Sequence, residues 1–289
     1  MYADRSNMMP LADALVSEAT MDDRAATRPN LGRTLRGLFQ YGHLLRNLVV
    51  KDLKLKYRGS VLGFVWSLAN PLLMIAVYTL AFTYILRIRT PGYVFYLMLG
   101  VLAWTFFANA TVMSTGSIVD NGGLARSVWF PRAILPIASV LFNFAQYLLT
   151  VAVFLPVLML LYRVPPAAPM IAYPAFLVMQ LLFTIGVGLL LAVGTAFFRD
   201  VRHLVDVALA VLFWATPVLY ETAQLPARLR SLILLSPLSP YVTAYHDVFY
   251  YRRWPSPETW GLAFVYSAVA LIAGLWLMTR HEDQLTERI

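Results

Sequence analysis

The chain has no cysteine among its 289 residues. Disulfide bonds, cysteine-ligated zinc and thiol catalysis are therefore excluded. Charge is also scarce, because Asp, Glu, Lys and Arg make up 13% of the residues, against about 25% in soluble domains. Hydrophobic residues make up 60%, against roughly 45–50% in soluble domains. This composition excludes an ordinary soluble enzyme.

The scarcity of charge leaves long stretches of the chain without Asp, Glu, Lys or Arg. Five of them reach the roughly 20 residues that a helix needs to cross a bilayer. They are 59–86, 90–119, 133–162, 164–198 and 259–279. A sixth stretch, 203–220, suffices if Asp206 lies near a membrane surface. We therefore predict an all-α integral membrane protein with six transmembrane helices. Their predicted bounds are 61–86, 94–116, 135–162, 171–198, 203–220 and 259–279.

The membrane segments also lack the groups that couple transport to an ion gradient. Ionisable side chains inside a bilayer are costly and mark proton or sodium pathways, and the five long stretches contain none. The chain has no Walker A motif, because its three lysines each follow a valine or a leucine and never a glycine. No internal repeat is evident, which argues against a carrier built from inverted repeats. If ATP drives this protein, another chain binds it.

The distribution of Lys and Arg predicts the orientation in the membrane, because these residues are retained on the cytoplasmic side. With both termini in the cytoplasm, sixteen of them lie inside and seven outside. We therefore predict an N-in, C-in topology. The net charge of +8 follows mostly from this bias and from attraction to anionic lipid, and no nucleic-acid partner is expected. Residues 1–30 lack the apolar core of a secretory signal and are predicted to be a flexible cytoplasmic leader.

Residues 31–58 are predicted to form an amphipathic interface helix. On a helical wheel, polar side chains share one narrow arc: Arg36, His43, Asn47, Lys51, Lys54 and Arg58. Apolar side chains lie on the opposite side: Leu38, Tyr41, Leu45 and Leu48. Such a helix lies in the membrane surface. Asp52 and Lys56 interrupt its apolar side, so the helix is either a lipid-bound anchor or a docking surface for a protein partner.

The segment 221–258 contains five prolines around a moderately apolar stretch, which prevents a full span. It is predicted to be a broken, re-entrant hairpin on the outer face, with a simple folded loop as the alternative. His246 and Asp247 are adjacent, but neighbouring residues on a helix point in different directions, so hydrogen bonding is favoured over catalysis. The histidines are too dispersed to assemble a metal site, and none is expected.

Aromatic residues are abundant, at 14% of the chain. Those near the ends of the first two predicted spans indicate an interfacial belt: Tyr84, Tyr93, Phe95 and Tyr96. Seven others lie deeper: Trp66, Tyr78, Phe82, Trp104, Phe107, Phe142 and Tyr147. Ring faces stack against the C–H surfaces of sugars without requiring charge, so these seven are predicted to line a conduit for a neutral or mixed polymer. Helix packing or lipid contact is the alternative.

Several motifs carry a resemblance to a known family. They are YRGSVLGFVWSLANPLLM at 57–74, FPRAILP at 130–136, FRDV at 198–201, SPLSP at 236–240 and YY at 250–251. Together they resemble the membrane subunit of ABC-2-type polysaccharide exporters, which moves lipid-linked O-antigen and, in relatives, teichoic acid or capsule. The motifs are spread over nearly the whole chain after residue 31. Residues 59–289 are accordingly assigned to an ABC-2-type transmembrane domain.

The resemblance implies a homodimer in the bacterial inner membrane, with two ABC ATPase subunits that bind the ATP and Mg, and no cofactor on this chain. It implies a polysaccharide carried on undecaprenyl diphosphate. By position, the ATPase contacts correspond to 35–58 and 117–132, with these candidate residues: Lys51, Asp52, Lys56, Asp120, Arg126 and Arg132. The outer gate corresponds to 224–251, with these candidates: Pro237, Pro240, Tyr241, Tyr250 and Tyr251.

Lys54 and Arg58 are predicted to meet the lipid diphosphate, because they share an arc of the surface helix that ends where the first span begins. Arg favours phosphate through its planar donor fork, although attraction to phospholipid head groups is the alternative. Export of O-antigen is the favoured function. The alternatives are export of teichoic acid or capsule by the same mechanism, a drug or lipid exporter of the ABC class, and a membrane enzyme acting on polyprenyl-linked sugars.

Overall fold

A computed structural model describes residues 41–58, 65–85, 87, 91–123, 130–222 and 225–288. Within them the predicted all-helical class is confirmed, since every regular element is helical. The α-helices in chain order are α1 Gly42–Tyr57, α2 Val65–Thr79, α3 Tyr93–Asp120, α4 Ile134–Leu161, α5 Tyr173–Phe197, α6 Val201–Trp214, α7 Ala227–Leu234, α8 Ser239–Tyr245 and α9 Pro257–Arg288. The leader 1–30 and the first part of the predicted interface helix, 31–40, lie outside the described residues.

Two of these helices continue as π-helix and one is preceded by a 3₁₀-helix. The π-helical segments are Leu80–Ile85 after α2 and His246–Tyr250 after α8, and the 3₁₀-helix is Ala168–Ala172 before α5. π-helical turns are rare and often occur at functional sites. Pro71 lies inside α2, where a membrane helix tolerates it if neighbouring groups satisfy the backbone carbonyl it leaves unpaired.

Among the described residues, five helical segments are long and apolar enough to cross a membrane. They are Leu68–Ile85, Tyr93–Asp120, Ile134–Leu161, Ala168–Phe197 and Pro257–Glu282. The predicted span 203–220, which is the fifth in chain order, overlaps α6 at Val201–Trp214. The 14 residues of α6 extend about 21 Å before the chain enters turns. The hydrocarbon core is about 30 Å thick, so the helical part of this segment alone does not cross it.

The helices pack around α3, which is the most deeply buried span. Of the apolar window in α3, 78% is buried inside the chain, compared with 11% for the window at Leu68–Ile85. Helix α3 contacts α2, α4, α5 and α6, whereas α2 lies at the edge and contacts mainly α3. The core is therefore centred on α3, and α2 presents most of its surface outward.

Small residues bring α5 and α9 into close contact. A side chain at Gly186 would collide with the backbone of Ala270 and Leu271, and one at Gly274 would collide with the backbone of Gly186. In membranes, where lipid tails are as apolar as the helices, such backbone approach drives helix association through van der Waals packing. The glycines are thus required by the α5–α9 interface.

Helix α1 packs against the beginning of α4. Leu48 is buried in a cluster with Phe130, Ile134 and Leu135, and Tyr41 and Leu45 pack against the same cluster. The basic residues of the last turn, Lys54 and Lys56, are favourably placed at the negative end of the helix dipole. The described members of the apolar side of this helix therefore contact α4 of the same chain.

The segment between α6 and α9 is broken into two short helices, α7 and α8. Pro240 lies in the first turn of α8, where the missing N–H is not needed. Helix α8 contacts α5 and α9, and Tyr241 and Tyr245 are fully buried. The Tyr241 hydroxyl donates to the carbonyl of Ala263 at 3.1 Å and lies 2.8 Å from Ser267 Oγ. The second half of this segment is therefore a packed part of the helical core.

Candidate functional site

A polar cleft of about 240 Å³ lies between α2, α3 and α4. We call it the amide cleft, and its lining residues are Lys56, Trp66, Asn70, Pro71, Leu102, Thr105, Phe106, Asn109, Asn143, Gln146, Tyr147 and Thr150. Four of the twelve are amides and two are threonines, although the flanking helices are strongly apolar. Of the described residues that line the cleft, Lys56 alone carries a charge. The cleft thus combines hydrogen-bonding groups, aromatic rings and one cation.

The regular spacing of helical residues explains why the polar groups converge. Asn143, Gln146 and Thr150 follow one another at intervals of three and four residues, so they share one face of α4. Thr105 and Asn109 share a face of α3 for the same reason. Gln146 is 12 residues after Ile134, which places it about 18 Å along α4. The cleft therefore reaches toward the middle of the membrane helices.

The polar face of α4 is mostly satisfied by its own backbone. Asn143 Nδ2 donates to the carbonyl of Ser139 at 2.9 Å, and Thr150 Oγ1 donates to that of Gln146 at 2.8 Å. Gln146 is 8% exposed, yet its Nε2 has no hydrogen-bond partner among the described residues. A buried amide donor without a partner costs about 1–3 kcal/mol, so this group is a candidate for contact with a ligand.

Lys56 enters the cleft from the end of α1. Its ammonium donates a hydrogen bond to Gln146 Oε1 and lies 5.8 Å from the centre of the Phe142 ring. Partial desolvation of the ammonium lowers the pKa of Lys56 below its usual value, although the residue as a whole is exposed. Lys56 was predicted at the ATPase contact, and that role stays a prediction. The structure directs its amine toward α4, because the end of α1 lies beside that helix.

The seven aromatic residues predicted to line a conduit fall into separate places. Trp66 and Tyr147 line the amide cleft, and Trp66 is 60% exposed. Phe142 is buried beneath Lys56. Tyr147 is also buried, and its hydroxyl lies 3.1 Å from that of Tyr173. The structure therefore brings two of the seven to the cleft and places a third beside it.

The other four pack within the core of the chain. Tyr78 stacks on Phe213 with ring centres 5.9 Å apart, and Phe82 lies 5.9 Å from Tyr93. Trp104 and Phe107 are 9% and 3% exposed. Trp104 meets Phe213 edge-on at 5.2 Å, and Phe107 stacks on Phe183 at 5.6 Å. In this conformation, the rings of Trp104 and Phe107 are covered by other side chains of the same chain.

The two residues predicted to meet the lipid diphosphate lie on the surface. Lys54 and Arg58 are both exposed, near the end of α1. The backbone N–H of Arg58 donates to the carbonyl of Leu55 at 3.3 Å, which closes the last turn of the helix. Both cations are accessible near the end of α1, whereas the amine of Lys56 between them is directed into the cleft.

The predicted ATPase-contact residues differ in their exposure. Lys51 is exposed and lies 3.6 Å from Asp52. Asp120 forms an ion pair with Arg202 of α6 at 2.6 Å. Arg126 lies outside the described residues. Lys51 and Asp120 are thus accessible to a partner.

Arg132 differs from the accessible candidates because it is 4% exposed. Its guanidinium lies 5.3 Å from the Phe130 ring centre, and its backbone N–H donates to Glu282 Oε1 at 3.4 Å. Burial lowers the pKa of Arg132, whereas the charge of Glu282 acts in the opposite direction. The residue therefore ties the turn before α4 to the end of α9 and presents little surface to a partner.

Of the predicted outer-gate residues, Tyr250 contacts the beginning of α3. The Tyr250 hydroxyl donates to the carbonyl of Pro91, and its ring meets Tyr96 edge-on at 5.3 Å. Tyr251 is partly exposed and Arg253 lies over its ring at 4.7 Å. Pro240 is buried and Pro237 is partly buried. The contacts of Tyr250 hold the π-helix His246–Tyr250 against the beginning of α3.

His246 and Asp247 have separate partners, as expected for structural hydrogen bonding. His246 Nε2 lies 3.0 Å from the carbonyl oxygen of Tyr96, and its ring stacks on Tyr96 at 3.7 Å. Burial lowers the pKa of His246 to about 3. Asp247 accepts from Arg253 Nε at 2.8 Å. Among the described residues, no three His, Cys, Asp or Glu side chains are grouped so as to hold a metal ion.

The amides of the cleft were missed in the sequence, although a signal was present. Asn143, Gln146 and Thr150 form a polar stripe with helical spacing inside the charge-free stretch 133–162. Such polar groups are costly in a membrane helix and mark functional positions. They are neither charged nor aromatic, and the predicted site residues in the spans were all aromatic.

Comparisons with known proteins agree over most of the chain. The model of the ABC-2 type transporter family matches residues 43–250. The chain is 34% identical over 259 residues to the O-antigen export system permease protein RfbA of Myxococcus xanthus, covering 89% of this chain and 99% of the relative. It is 30% identical to RfbA of Klebsiella pneumoniae, covering 73% and 83%. The polysialic acid transport protein KpsM of Escherichia coli is 21% identical, covering 83% and 94%.

Proposed function

This chain belongs to the ABC-2 type transporter family, and on that basis we propose that it is the membrane subunit of an ATP-driven exporter of lipid-linked O-antigen. It is a multi-pass integral membrane protein of bacteria, and we assign it to the inner membrane. Relatives named as O-antigen export permeases match at 34% and 30% identity, and the polysialic acid transporter matches at 21%. O-antigen is therefore favoured over capsule as the exported polymer.

The observation that carries this proposal is the amide cleft. Asn143 and Gln146 are buried in an apolar membrane helix, where amides are costly unless they have hydrogen-bond partners. Sugars supply such partners, because each hydroxyl both donates and accepts. The cleft holds no carboxylate among its described lining residues, so neutral and acidic glycans are both acceptable. A drug or simple lipid without hydroxyl groups would leave the buried Nε2 of Gln146 without a partner among the described residues.

We propose a homodimer with six spans in each chain and both termini in the cytoplasm. The positive-inside distribution supports this orientation, and α6 with its following turns would form the fifth span. The amide cleft lies beside α2, which is the most exposed of the five long segments. A second copy facing α2 would close the cleft into a conduit between the chains. The segment 224–251 would then be the re-entrant outer gate.

We propose that two ATPase subunits drive export through α1 and the cytoplasmic ends of α3 and α6. Lys51, Asp52 and Asp120 are accessible in this region and would provide the contacts. ATP and Mg would bind to the partner. Lys54 and Arg58, which are exposed near the end of α1, would meet the diphosphate of an undecaprenyl-linked substrate. Charge attraction and the donor fork of arginine both favour this contact.

Reconstitution of the chain with its ATPase tests the proposal. Lipid-linked glycan extracted from the native cells is supplied to proteoliposomes, and its movement is followed with a glycan-specific lectin or antibody. We expect movement that requires ATP and stops when the ATPase lysine of the Walker A motif is replaced. Uphill movement by this chain without the ATPase would contradict the coupling scheme, and sugar transfer without ATP would indicate an enzyme instead.

A further inference from the structure

The contact between Lys56 and Gln146 is chemically unusual. The Lys56 ammonium donates to a neutral amide oxygen, and no carboxylate is among the described residues that line the cleft. Lys56 as a residue is exposed, so its ammonium is only partly removed from water. Even partial removal is unfavourable unless an anion or several good acceptors compensate. The amide oxygen and the Phe142 ring compensate only in part. Lys56 is therefore held in the cleft weakly enough to be displaced.

The side-chain amide of Gln146 has one group in use and one group free to bind a ligand. Its oxygen is used by Lys56, while its Nε2 is buried without a partner among the described residues. A carboxamide can serve one hydroxyl as an acceptor and another as a donor. Neighbouring hydroxyls of a sugar ring match this pair of groups. The same face of α4 adds Asn143 and Thr150, and Asn109 faces the cleft from α3.

The remaining features of the cleft suit one sugar ring. A volume of about 240 Å³ corresponds to roughly eight waters at about 30 Å³ each, which suffices for one ring of a polymer and not for a long segment. The indole of Trp66 is 60% exposed at the edge of the cleft. Its face can cover the apolar C–H surface of a ring whose hydroxyls meet the amides. Size, polarity and aromatic cover thus agree on the ligand class.

We propose that the amide cleft is a monosaccharide-binding site of the conduit and that the Lys56 ammonium occupies it in the absence of glycan. A sugar hydroxyl enters by replacing the ammonium on Gln146 Oε1. The proposal rests on the proposed export function and adds a defined site to it. It also gives Lys56 a role in coupling. The displaced lysine belongs to α1, the helix that we place next to the ATPase.

Displacement of Lys56 would couple the binding of sugar in the cleft to the position of α1 on the cytoplasmic side. When a sugar unit replaces the ammonium, the end of α1 loses its tie to α4. By reciprocity, any movement of α1 that withdraws Lys56 raises the affinity of the cleft for sugar. Each advance of the polymer by one ring can therefore be coupled to a movement of α1.

Two substitutions separate this mechanism from a purely structural contact. Lys56→Met keeps much of the apolar stem and removes the competing ammonium, so the glycan concentration for half-maximal stimulation of ATP hydrolysis should fall. Gln146→Leu removes the sugar-binding amide, so that concentration should rise about three- to tenfold, as for one lost hydrogen bond. A contact that only stabilises α1 would shift both variants in the same direction. Arg46→Met, an exposed position on α1, is the matched control.

Thiol labelling provides a measurement that does not depend on turnover. Because the chain has no cysteine, Asn109→Cys introduces a single thiol at an exposed position in the cleft. Labelling by a water-soluble maleimide should slow several-fold when lipid-linked glycan from the native cells is added to the complex with its ATPase. Undecaprenyl diphosphate without sugar should give no protection. Arg46→Cys should be labelled equally in both conditions.

The outcomes distinguish the site from the function. If the parent complex exports glycan but Asn109→Cys is not protected and the Lys56 and Gln146 variants retain the parental concentration dependence, the site assignment is wrong and the export function stands. Protection by undecaprenyl diphosphate alone would show a lipid site and also overturn the assignment. If the parent complex exports no glycan, both proposals fail. Opposite shifts in the two variants together with glycan-specific protection would establish the site.

Discussion

The Asp120 carboxylate at the end of α3 accepts a hydrogen bond from the Arg202 guanidinium at the beginning of α6, at 2.6 Å. The same guanidinium lies 3.5 Å from the carbonyl of Gly116. The pair joins the ends of two helices that are more than eighty positions apart in the chain. Both side chains are substantially exposed, so the pair aligns the helices in a region open to a partner.

We expect reversal of this ion pair to affect export more than stability. Asp120→Arg places two cations together and should uncouple ATP hydrolysis from glycan movement. The unfolding free energy should change by about 1 kcal/mol or less, as is typical of exposed pairs. Adding Arg202→Asp should restore coupling. Equal export defects in Asp120→Arg and in Arg228→Glu of the outer segment, at equal membrane abundance, would contradict this role.

The two tryptophans predicted for the conduit should behave differently. Trp66→Leu should slow export while leaving thermal unfolding nearly unchanged, because the ring is 60% exposed at the amide cleft. Trp104→Ala should lower stability by about 3–5 kcal/mol, because the ring is buried against Phe107 and Phe213. Export rate and unfolding temperature are measured on the same preparations. A parental export rate for Trp66→Leu would remove its assignment to the conduit.

Gly274→Val should disrupt the packing of α9 against α5. The added side chain collides with the backbone of Gly186, and backbone cannot move aside as a flexible side chain can. We expect reduced abundance in the membrane and a lower unfolding temperature. Gly261→Val on the same helix is the matched control, since an added Cβ there meets no atom within 4 Å. Similar losses in both variants would point to helix propensity rather than to the interface.

Arg253→Gln should destabilise the outer segment in a pH-dependent way. Burial raises the pKa of Asp247, and the hydrogen bond and charge of Arg253 oppose that rise. Without Arg253, the ionised carboxylate lacks its counter-charge, and a loss of about 1–3 kcal/mol is expected at neutral pH. Because the folded-state pKa then rises further above the unfolded value, stability should recover as the pH falls through it.

Thermal unfolding of Arg253→Gln in detergent at several pH values measures this effect. The neighbouring Arg252→Gln provides the control, because Arg252 is exposed. Asp247→Asn combined with Arg253→Gln should abolish the added pH dependence, since the titrating carboxyl is then absent. An unchanged pH profile in Arg253→Gln relative to the parent would show that Asp247 does not depend on Arg253 for its ionisation.

The sequence by itself determined the membrane class, the family and the places where long helices occur. These properties depend on local composition: a charge-free stretch of sufficient length must form a helix in lipid, because its backbone groups have no other partners. The prediction that another chain binds ATP also rests on the sequence, in which no Walker A motif occurs. The periodicity of α1 also identified its apolar side, although only the fold showed that this side covers α4.

The role of individual side chains depended on the tertiary structure. Lys56 and Lys54 are two positions apart on one helix and both are exposed, yet the Lys56 ammonium, unlike that of Lys54, lines the amide cleft and bonds to Gln146. Arg132 is buried although it lies in a loop that was predicted to face a partner. Trp104 is buried and Trp66 is exposed, although both tryptophans lie in charge-free predicted spans. Exposure is decided by what the neighbouring helices place against a residue. That depends on contacts distant in the chain, which local pattern and hydrophobicity do not encode.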